Sequence, residues 1–402
     1  MDRDRVSARK LHLMFLCGEY PPSPHGGIGT IVQLLARRLV EVGVQVTVIG
    51  TYVGLPADEH SSDEGVAVIR LASKGSGFYA LVDERRQWRF ITEYSQANSV
   101  DAIEGSELAF WAAPRRTPLR VIRMHGGHRF FADAAGNPTK PLRAWLEKRS
   151  FERADGLIAV SQYVGERTFA LLQVRGQVFE VIPNVADTRL FSPDPSVHRE
   201  RGSVFYFGAL CEKKGVRQLL QAWPSVVDAR PEARLTLAGR DTKTGPDGLS
   251  YRAAVLDEVP RDVVRTIEFL GYVPHQEIPT LLSRSELCVL PSHMEAHPLA
   301  WLEVMSSGTP LIGGDVGPAR ETILPGVTGE LVDPHDPVAI GSLIIELLAD
   351  RPRRELLGSE GARAVADYTV DRCAERTVDF YNRLLGASGA AGAATPGPPT
   401  QR

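Results

Sequence analysis

The sequence predicts an α/β protein with two Rossmann-like domains, whose parallel sheets face a central cleft. Three observations lead to this fold class. Short, continuously apolar segments alternate with helical patterns, as expected for parallel strands that are covered on both faces. The alternation stops in a polar, Pro-rich segment at 181–202 and then begins again. Each half opens with a strand, a glycine-containing loop and a helix, and such folds bind ligands at the carboxyl ends of their strands.

The first half, 10–190, contains the elements of one Rossmann-like domain. A strand is predicted at 11–17, "LHLMFLC", and an amphipathic helix begins at about Thr30 in "GTIVQLLARRLVEVG". The later predicted elements are strands at 45–50, 66–71, 119–125 and 156–161, and a helix at 141–154, "PLRAWLEKRSFERA". This half is therefore predicted to be one domain, preceded by a disordered segment at 1–9.

The second half repeats the pattern after a predicted linker at 191–202. Its predicted elements are strands at 203–210, 233–239, 266–273 and 286–292, and helices at 215–229 and 278–285. The second domain is predicted at 203–370. A helix at 371–385 follows it, and one alternative is that this helix crosses back to the first domain. The segment 386–402 holds almost only Gly, Ala, Pro and Thr, and this composition predicts disorder.

Composition narrows the classes of function. The chain has 402 residues, 43% of them hydrophobic, and a net charge of -3, which is typical of a globular protein without a nucleic-acid partner. Its four cysteines are widely spaced, as in a reducing compartment. Neither a signal peptide nor an apolar run of about 18 residues is present. These features predict a cytoplasmic protein, with peripheral membrane contact left open and the oligomeric state undetermined.

Two loops in the first half have a composition suited to ligand binding. Gly26, Gly27 and Gly29 stand before a helix, where a tight turn and a ligand loop are equally good interpretations. Their order is not G-x-G-x-x-G, and no acidic residue ends the second strand, which disfavours a nicotinamide enzyme. His125 ends a predicted strand before two glycines, although a structural histidine is an alternative.

Two loops in the second half suit a diphosphate flanked by hydroxyl groups. Lys213 and Lys214 precede a predicted helix, where cations oppose the helix dipole unless an anion is bound; a solvated pair is the alternative. Glu295 and Glu303 lie on either side of another helix start. Carboxylates repel phosphate but bind hydroxyls strongly, so this pattern fits the sequence of groups in a nucleotide-sugar: ribose, diphosphate, hexose. Two surface glutamates are the alternative.

Taken in order, these stretches resemble the retaining, GT-B-fold glycosyltransferases of family four, also described as glycosyl transferases group 1. The resemblance covers roughly 11–385 and rests on several motifs. They are "EYPPSPHGGIGTIVQLLARRLVEVGVQVTVIG", "MHGG", "AVSQYV", "VIPNVADTRLF", "KKGVRQLL", "FLGYVPHQEIPTLL", "CVLPS", "EAHPLAWLEVMSSGTPLI" and "ETILPGVTGELVDPHDPVAI". The spaced glutamates are its most specific part.

The resemblance implies roles for individual residues. Glu295, His125 and Lys214 would be catalytic, with Glu295 and His125 at the donor sugar and Lys214 at the diphosphate. Glu303 would bind the ribose, and main-chain amides from 298 to 300 would hold phosphate. The implied donor-binding set is Gly27, Gly29, Lys213, Lys214, Arg240, Tyr272, Val273, Glu295, Ala296, His297, Pro298, Leu299, Ala300 and Glu303. The implied acceptor-binding set is Gly26, Gly27, His125, Gly126, Gly127 and Arg129.

The implied activity is metal-independent transfer of a sugar, with retention, from a nucleoside-diphosphate sugar to an acceptor hydroxyl. A UDP-sugar is favoured as co-substrate, no cofactor or metal is expected, and the acceptor is a small natural product, an oligosaccharide or a lipid-linked molecule. The chain departs from the family pattern at Ala209, where many members have arginine, and Lys213 or Arg240 is the expected substitute. A second departure is Val185, which follows Pro183 and Asn184 where the family's Pro-Asn-Gly motif has glycine. Because of Ala209, a non-catalytic nucleotide-sugar-binding protein of the same fold is the alternative.

Overall fold

The computed structural model describes residues 10–75, 78–115 and 117–393. They divide into two compact units. The first unit comprises 10–160, 165–182 and the chain from Val370 onward, and the second comprises 161–164 and 183–369. The predicted disordered segment 1–9 lies outside the described residues, as does the end of the chain from 394. Within the described part, no helix has the length and apolarity needed to cross a membrane.

An eight-stranded sheet forms the centre of the first unit. Its strands are β1 (His12–Leu16), β2 (Gln45–Val53), β3 (Glu59–Asp63), β4 (Val66–Ser73), β5 (Ala102–Gly105), β6 (Leu119–Met124), β7 (Gly156–Ala159) and β8 (Glu180–Val181). Their order is β3-β4-β2-β1-β5-β6-β7-β8. All neighbours pair in parallel except β3, which runs antiparallel to β4 at the edge. The sequence did not predict β3, because its residues, "EHSSD", are polar on both faces and give no alternation.

The following helices lie wholly or mostly in the first unit. They are α1 (Gly27–Glu41), α2 (Phe78–Asn98), α3 (His128–Ala134), α4 (Pro141–Phe151), α5 (Gln162–Leu172) and α14 (Val370–Ala393). A buried network attaches α14 to the sheet: Arg123 Nε donates to Glu104 Oε1 at 2.7 Å, and Tyr381 Oη donates to Glu104 Oε2 at 2.7 Å. The last helix therefore belongs with the first unit, although it follows the second in sequence.

Helix α14 also extends past its predicted end. It continues through 386–393, where disorder was predicted. The segment 386–393 contains four alanines, which have the highest intrinsic helix propensity, and three glycines, which disfavour a helix. The helix is already nucleated upstream, and extending a nucleated helix costs less than starting one.

A six-stranded parallel sheet forms the centre of the second unit. Its strands are β9 (Ser203–Phe207), β10 (Arg234–Ala238), β11 (Ile267–Gly271), β12 (Leu287–Leu290), β13 (Leu311–Gly314) and β14 (Glu330–Val332), in the order β11-β10-β9-β12-β13-β14. Its helices are α6 (Val216–Ala229), α7 (Tyr251–Leu256), α8 (Arg261–Val264), α9 (Ile278–Arg284), α10 (Leu299–Ser306), α11 (Ala319–Thr322), α12 (Pro337–Ala349) and α13 (Arg351–Ala364). The core strand β12 is buried at every position, which explains its continuous apolar sequence.

The predicted linker 191–202 is not a free connection. Phe191 is fully buried in the core of the second unit, and the Arg199 guanidinium donates to main-chain carbonyls of Leu282 and Ser285. The division between the units falls between Ile182 and Pro183, earlier than the predicted boundary at 190. Polar, Pro-rich composition showed a lack of regular structure here, but it did not show which side chains are anchored by the neighbouring core.

Candidate functional site

Two of the predicted catalytic residues meet at the carboxyl edge of the second sheet. Strands β9 and β12 are adjacent and parallel, so the loops that follow them leave the sheet side by side. Lys214 comes from the first loop and Glu295 from the second. Lys214 Nζ lies 2.5 Å from Glu295 Oε1, and the two side chains are 29% and 12% exposed. Residues 81 positions apart are therefore joined in one ion pair.

A glycine fixes the position of the Lys214 loop. Gly215 has a φ of +70°, which L side chains rarely adopt, and a Cβ atom there would lie 1.9 Å from the Pro291 carbonyl oxygen. The His293 amide also donates to the Lys213 carbonyl at 2.9 Å. These close main-chain contacts hold the loop after β9 against the loop after β12, and they place Lys214 beside Glu295.

The amino end of α10 presents main-chain donors next to this pair. Pro298 is the capping residue, and no side chain caps the helix. The amides of Leu299 and Ala300 are in the first turn, where the helix itself provides no acceptor. The prediction that amides from 298 to 300 bind phosphate needs one correction, because proline has no N–H and Pro298 can only orient the chain.

Glu303 lies within α10 and has a partner that the sequence did not indicate. Its Oε1 lies 2.8 Å from Nε2 of His275, which stands in a 3-10 turn before α9. The Glu303 residue is only 6% exposed. Burial alone would lower the pKa of His275, but the hydrogen bond and charge of Glu303, together with Asp187, raise it above its usual value. His275 therefore orients the carboxylate that was predicted to bind ribose.

A second support holds the loop between Glu295 and α10. Asn184 Nδ2 donates to the His297 carbonyl at 2.8 Å. Ala296 and His297 are 8% and 5% exposed, and burial lowers the pKa of His297 to about 4. As donor-binding residues, these two can therefore offer main-chain groups rather than side chains. Val185 in the Pro-Asn-Gly motif does not prevent this contact, because the asparagine makes it.

Arg240 lies beside the loop that contains Ala209. The Leu210 amide donates to the Arg240 carbonyl at 2.9 Å, and the Arg240 guanidinium lies over the Tyr272 ring, 4.4 Å from its centroid. Such a cation–π contact fixes the guanidinium near the ring. Tyr272 is exposed, whereas Val273 packs partly against the core. Of the two predicted substitutes for the missing arginine, Arg240 is held next to the position and Lys213 is an exposed lysine on the neighbouring turn.

The glycine-rich loop of the first unit differs in detail from the prediction. Helix α1 begins at Gly27 rather than at about Thr30, with Gly26 as its capping residue. The Gly29 amide donates to Glu19 Oε1 at 2.8 Å, and a Cβ at Gly29 would lie 2.0 Å from the Glu19 carbonyl oxygen. Gly29 is therefore required for packing against Glu19, and its amide is already occupied by a carboxylate.

Two buried carboxylates lie beneath the His-Gly-Gly loop. The His125 amide donates to Glu107 Oε1 at 2.7 Å, and a Cβ at Gly127 would lie 1.8 Å from Glu147 Oε1. Burial raises the pKa of Glu107 to about 7 and raises that of Glu147 as well. The Arg129 amide donates to Glu147 Oε2 at 3.1 Å, which places this predicted acceptor residue by its main chain. Neither glutamate could be recognised from its sequence position, because both resemble surface residues of a helix or loop.

Comparison with known proteins identifies the family of the chain. The model for "Glycosyltransferase Family 4" matches 25–190, and the model for "Glycosyl transferases group 1" matches 191–364. Glycogen synthase of Mycobacterium tuberculosis is 25% identical over 407 residues, which cover 92% of this chain and 94% of that protein.

Solved structures confirm the fold. Sucrose-phosphate synthase from Thermosynechococcus elongatus has a TM-score of 0.80 at 20% identity, covering 94% of this chain and 100% of that one. Anabaena HepE, solved in complex with UDP and glucose, has a TM-score of 0.73 at 17% identity, covering 93% and 100%. The predicted α/β GT-B class, with two Rossmann-like parallel-sheet domains, is confirmed. Since the two family models together run from 25 to 364, the chain belongs to the group 1 glycosyltransferases and is a glycosyltransferase enzyme.

Proposed function

We propose that this glycosyltransferase is retaining and metal-independent, and that it transfers a sugar from a nucleoside-diphosphate sugar to a hydroxyl of a small-molecule, oligosaccharide or lipid-linked acceptor. One observation supports the proposal most directly. The Lys214–Glu295 pair lies on loops that meet next to the uncapped amino end of α10, with Glu303 one turn into that helix. The proposal assigns the cation and the main-chain donors to the diphosphate, and the two carboxylates to its two flanking sugars.

Each group has a chemical reason for its place. The α10 amides and the Lys214 ammonium suit the diphosphate, because hydrogen bonds to an ionised acceptor are the stronger kind and a helix start favours negative charge. Glu295 and Glu303 suit hydroxyls of the transferred sugar and of the ribose. In this proposal, Lys214 moves from Glu295 to the diphosphate when donor binds, and Glu295 becomes free to accept from the sugar.

The proposed reaction is a single displacement on the donor. The bond between the anomeric carbon and the diphosphate oxygen breaks, and a bond from the acceptor oxygen forms on the same face. The acceptor proton passes to an oxygen of the departing diphosphate, so the products are a glycoside and a nucleoside diphosphate. The protein supplies positioning and electrostatic stabilisation of the leaving group by Lys214 and the amides. The role predicted for His125 at the donor sugar remains part of the proposal, as do the acceptor-binding roles predicted for His125, Gly126 and Gly127.

UDP is the favoured leaving group. The Anabaena HepE structure contains UDP and glucose, and this pairing is proposed here by extension. The exposed Tyr272, with Arg240 over its ring, offers a flat surface beside which a base can lie. Arg240 is also the proposed replacement for the arginine that many family members have at the position of Ala209.

Calorimetry and a turnover assay test the proposal together. UDP, GDP, dTDP and ADP are titrated with and without a chelator, and UDP-glucose hydrolysis is followed in parallel. We expect UDP to bind best, unaffected by chelator, with Glu303→Gln weakening UDP binding and Glu295→Gln lowering turnover more than affinity. The control is Glu268→Gln, an exposed glutamate on the edge strand β11. Wild-type kinetics in both site variants would refute the assignment.

A non-catalytic nucleotide-sugar-binding protein is the second candidate function, and Ala209 is the observation that favours it. Such a protein would bind UDP-glucose with the same dependence on Glu303. It would release no UDP over hours, either in water or with an acceptor mixture of hexoses and hexose phosphates. Measurable UDP release that depends on Glu295 excludes this candidate.

A further inference from the structure

A cavity of about 710 Å³ lies in the first unit against the His-Gly-Gly loop. Gly126 and Gly127 form part of its wall. A second part of the wall is apolar and consists of Ile28, Leu108 and Phe131. Its size fits a molecule of one or two sugar units, and its apolar wall suits the carbon face of such a molecule.

Cationic side chains of one sequence segment also line this cavity. The segment from Lys140 through α4 is rich in lysine and arginine. Some of these side chains donate to main-chain carbonyls, and others line the cavity. Arg149 and Arg153 donate to the main-chain carbonyls of Trp111 and Ala113, away from the cavity. Lys140 and Arg143 line the cavity, and among the described residues neither forms an ion pair with a carboxylate.

His128 joins these two cations at the cavity wall. Its Nε2 accepts a hydrogen bond from the Lys140 amide at 3.3 Å, so the neutral ring carries its proton on Nδ1. Burial, Arg143 and Lys140 all lower the pKa of His128, which reflects how close the positive charges are. The ring is thus a neutral hydrogen-bonding group between two cations.

One acidic side chain also faces the cavity. Glu107 lines it, but its carboxylate accepts from the main-chain amide of His125, and burial raises its pKa to about 7. Glu107 is therefore partly protonated near neutrality and is engaged by the loop. The charge that remains for a ligand at this wall is positive.

We infer that the cavity binds the phosphate group of the acceptor through Lys140, Arg143 and His128. The inference rests on the proposed function and specifies its acceptor class: a hydroxylated molecule with a phosphate, which a soluble sugar phosphate or an anionic lipid headgroup can supply. Arginine is suited to phosphate because its planar donors bind two oxygens at once. The apolar wall then takes the carbon skeleton.

Inorganic phosphate is the first probe. It is titrated at constant ionic strength by calorimetry, with UDP at saturation so that the diphosphate position in the second unit is filled. Wild type is compared with the Lys140→Ala/Arg143→Ala double variant and with Lys148→Ala, an exposed lysine of α4 that does not line the cavity. We expect saturable binding to wild type and Lys148→Ala, and at least about a 10-fold loss in the double variant.

A second measurement distinguishes the sources of the phosphate. Binding of glucose 6-phosphate is compared with binding of glucose by calorimetry. In a separate experiment, the three proteins are co-sedimented with vesicles of phosphatidylglycerol or of phosphatidylcholine. Dependence on Lys140 and Arg143 with glucose 6-phosphate assigns a soluble acceptor, and dependence with phosphatidylglycerol vesicles alone assigns a lipid headgroup. Equal behaviour of the double variant and wild type toward every probe overturns the inference. A failure of UDP to bind, with phosphate binding intact, would instead refute the proposed function.

Discussion

Replacing His275 with alanine is expected to destabilise the second unit in a pH-dependent manner. The imidazole forms a hydrogen bond with Glu303, at 2.8 Å, and the carboxylate belongs to a residue that is only 6% exposed. Removing the ring leaves a buried carboxylate without this partner. That is a larger change than losing a surface contact.

The magnitude follows from the exposure of the two partners. A hydrogen bond with a charged partner contributes about 1.5–3 kcal/mol, and the His275 side chain is 39% exposed, which favours the low end. With the cost of the uncompensated carboxylate, the loss at pH 6 is about 2 kcal/mol. For a unit of this size, that corresponds to a fall in Tm of about 4–8 °C.

The pH dependence has a definite sign. The pKa of His275 is raised in the folded protein, because its bond and charge interaction with Glu303 outweigh burial. The contribution of the pair is therefore complete below the unfolded pKa of about 6.5, and it decreases as pH rises through the folded pKa. The difference in stability between wild type and His275→Ala should be largest near pH 6 and smaller at alkaline pH.

Urea unfolding, followed at several pH values, measures this difference. The control is His198→Ala, which removes an exposed histidine of the same unit. Glu303→Gln and the double variant complete a thermodynamic cycle, and the coupling energy should itself decline with rising pH. A difference that is constant, or that grows with pH, would refute the reasoning about this pair.

Three further predictions concern the supports of the site. Lys214→Ala should lower kcat for UDP-glucose hydrolysis by about 100-fold, since it removes stabilisation of the leaving group. It should lower the affinity for UDP by a smaller factor. An unchanged kcat would place the phosphate site elsewhere. Gly215→Ala should destabilise the protein by about 3 kcal/mol or more, because φ is +70° and the new Cβ meets the Pro291 carbonyl; calorimetric unfolding checks this. Asn184→Asp should destabilise more than Asn184→Ala: both lose the donor to the His297 carbonyl, but the aspartate also buries a negative charge that this carbonyl oxygen repels. Equal unfolding midpoints would contradict that contact.

The sequence alone predicted what depends on local pattern. Continuous apolar runs located β1, β2, β4, β6 and β7 of the first sheet and β9 to β12 of the second, because a parallel strand is buried on both faces and is apolar throughout. The spacing of Glu295 and Glu303 around a helix start predicts a nucleotide-sugar site, and this remains a prediction. Strands β3, β5, β8, β13 and β14 were not predicted. Neither β3 nor the extension of α14 has apolar periodicity.

Only the tertiary structure decided the contacts between residues far apart in the chain. Lys214 meets Glu295 because strands β9 and β12 are neighbours, a pairing that sequence order does not reveal. His275 beside Glu303, and Asn184 beneath His297, bring together residues 28 and 113 positions apart. Sequence patterns record which face of an element is buried, whereas the identity of a partner depends on how the elements pack, and for that reason the supports of this site became visible only in three dimensions.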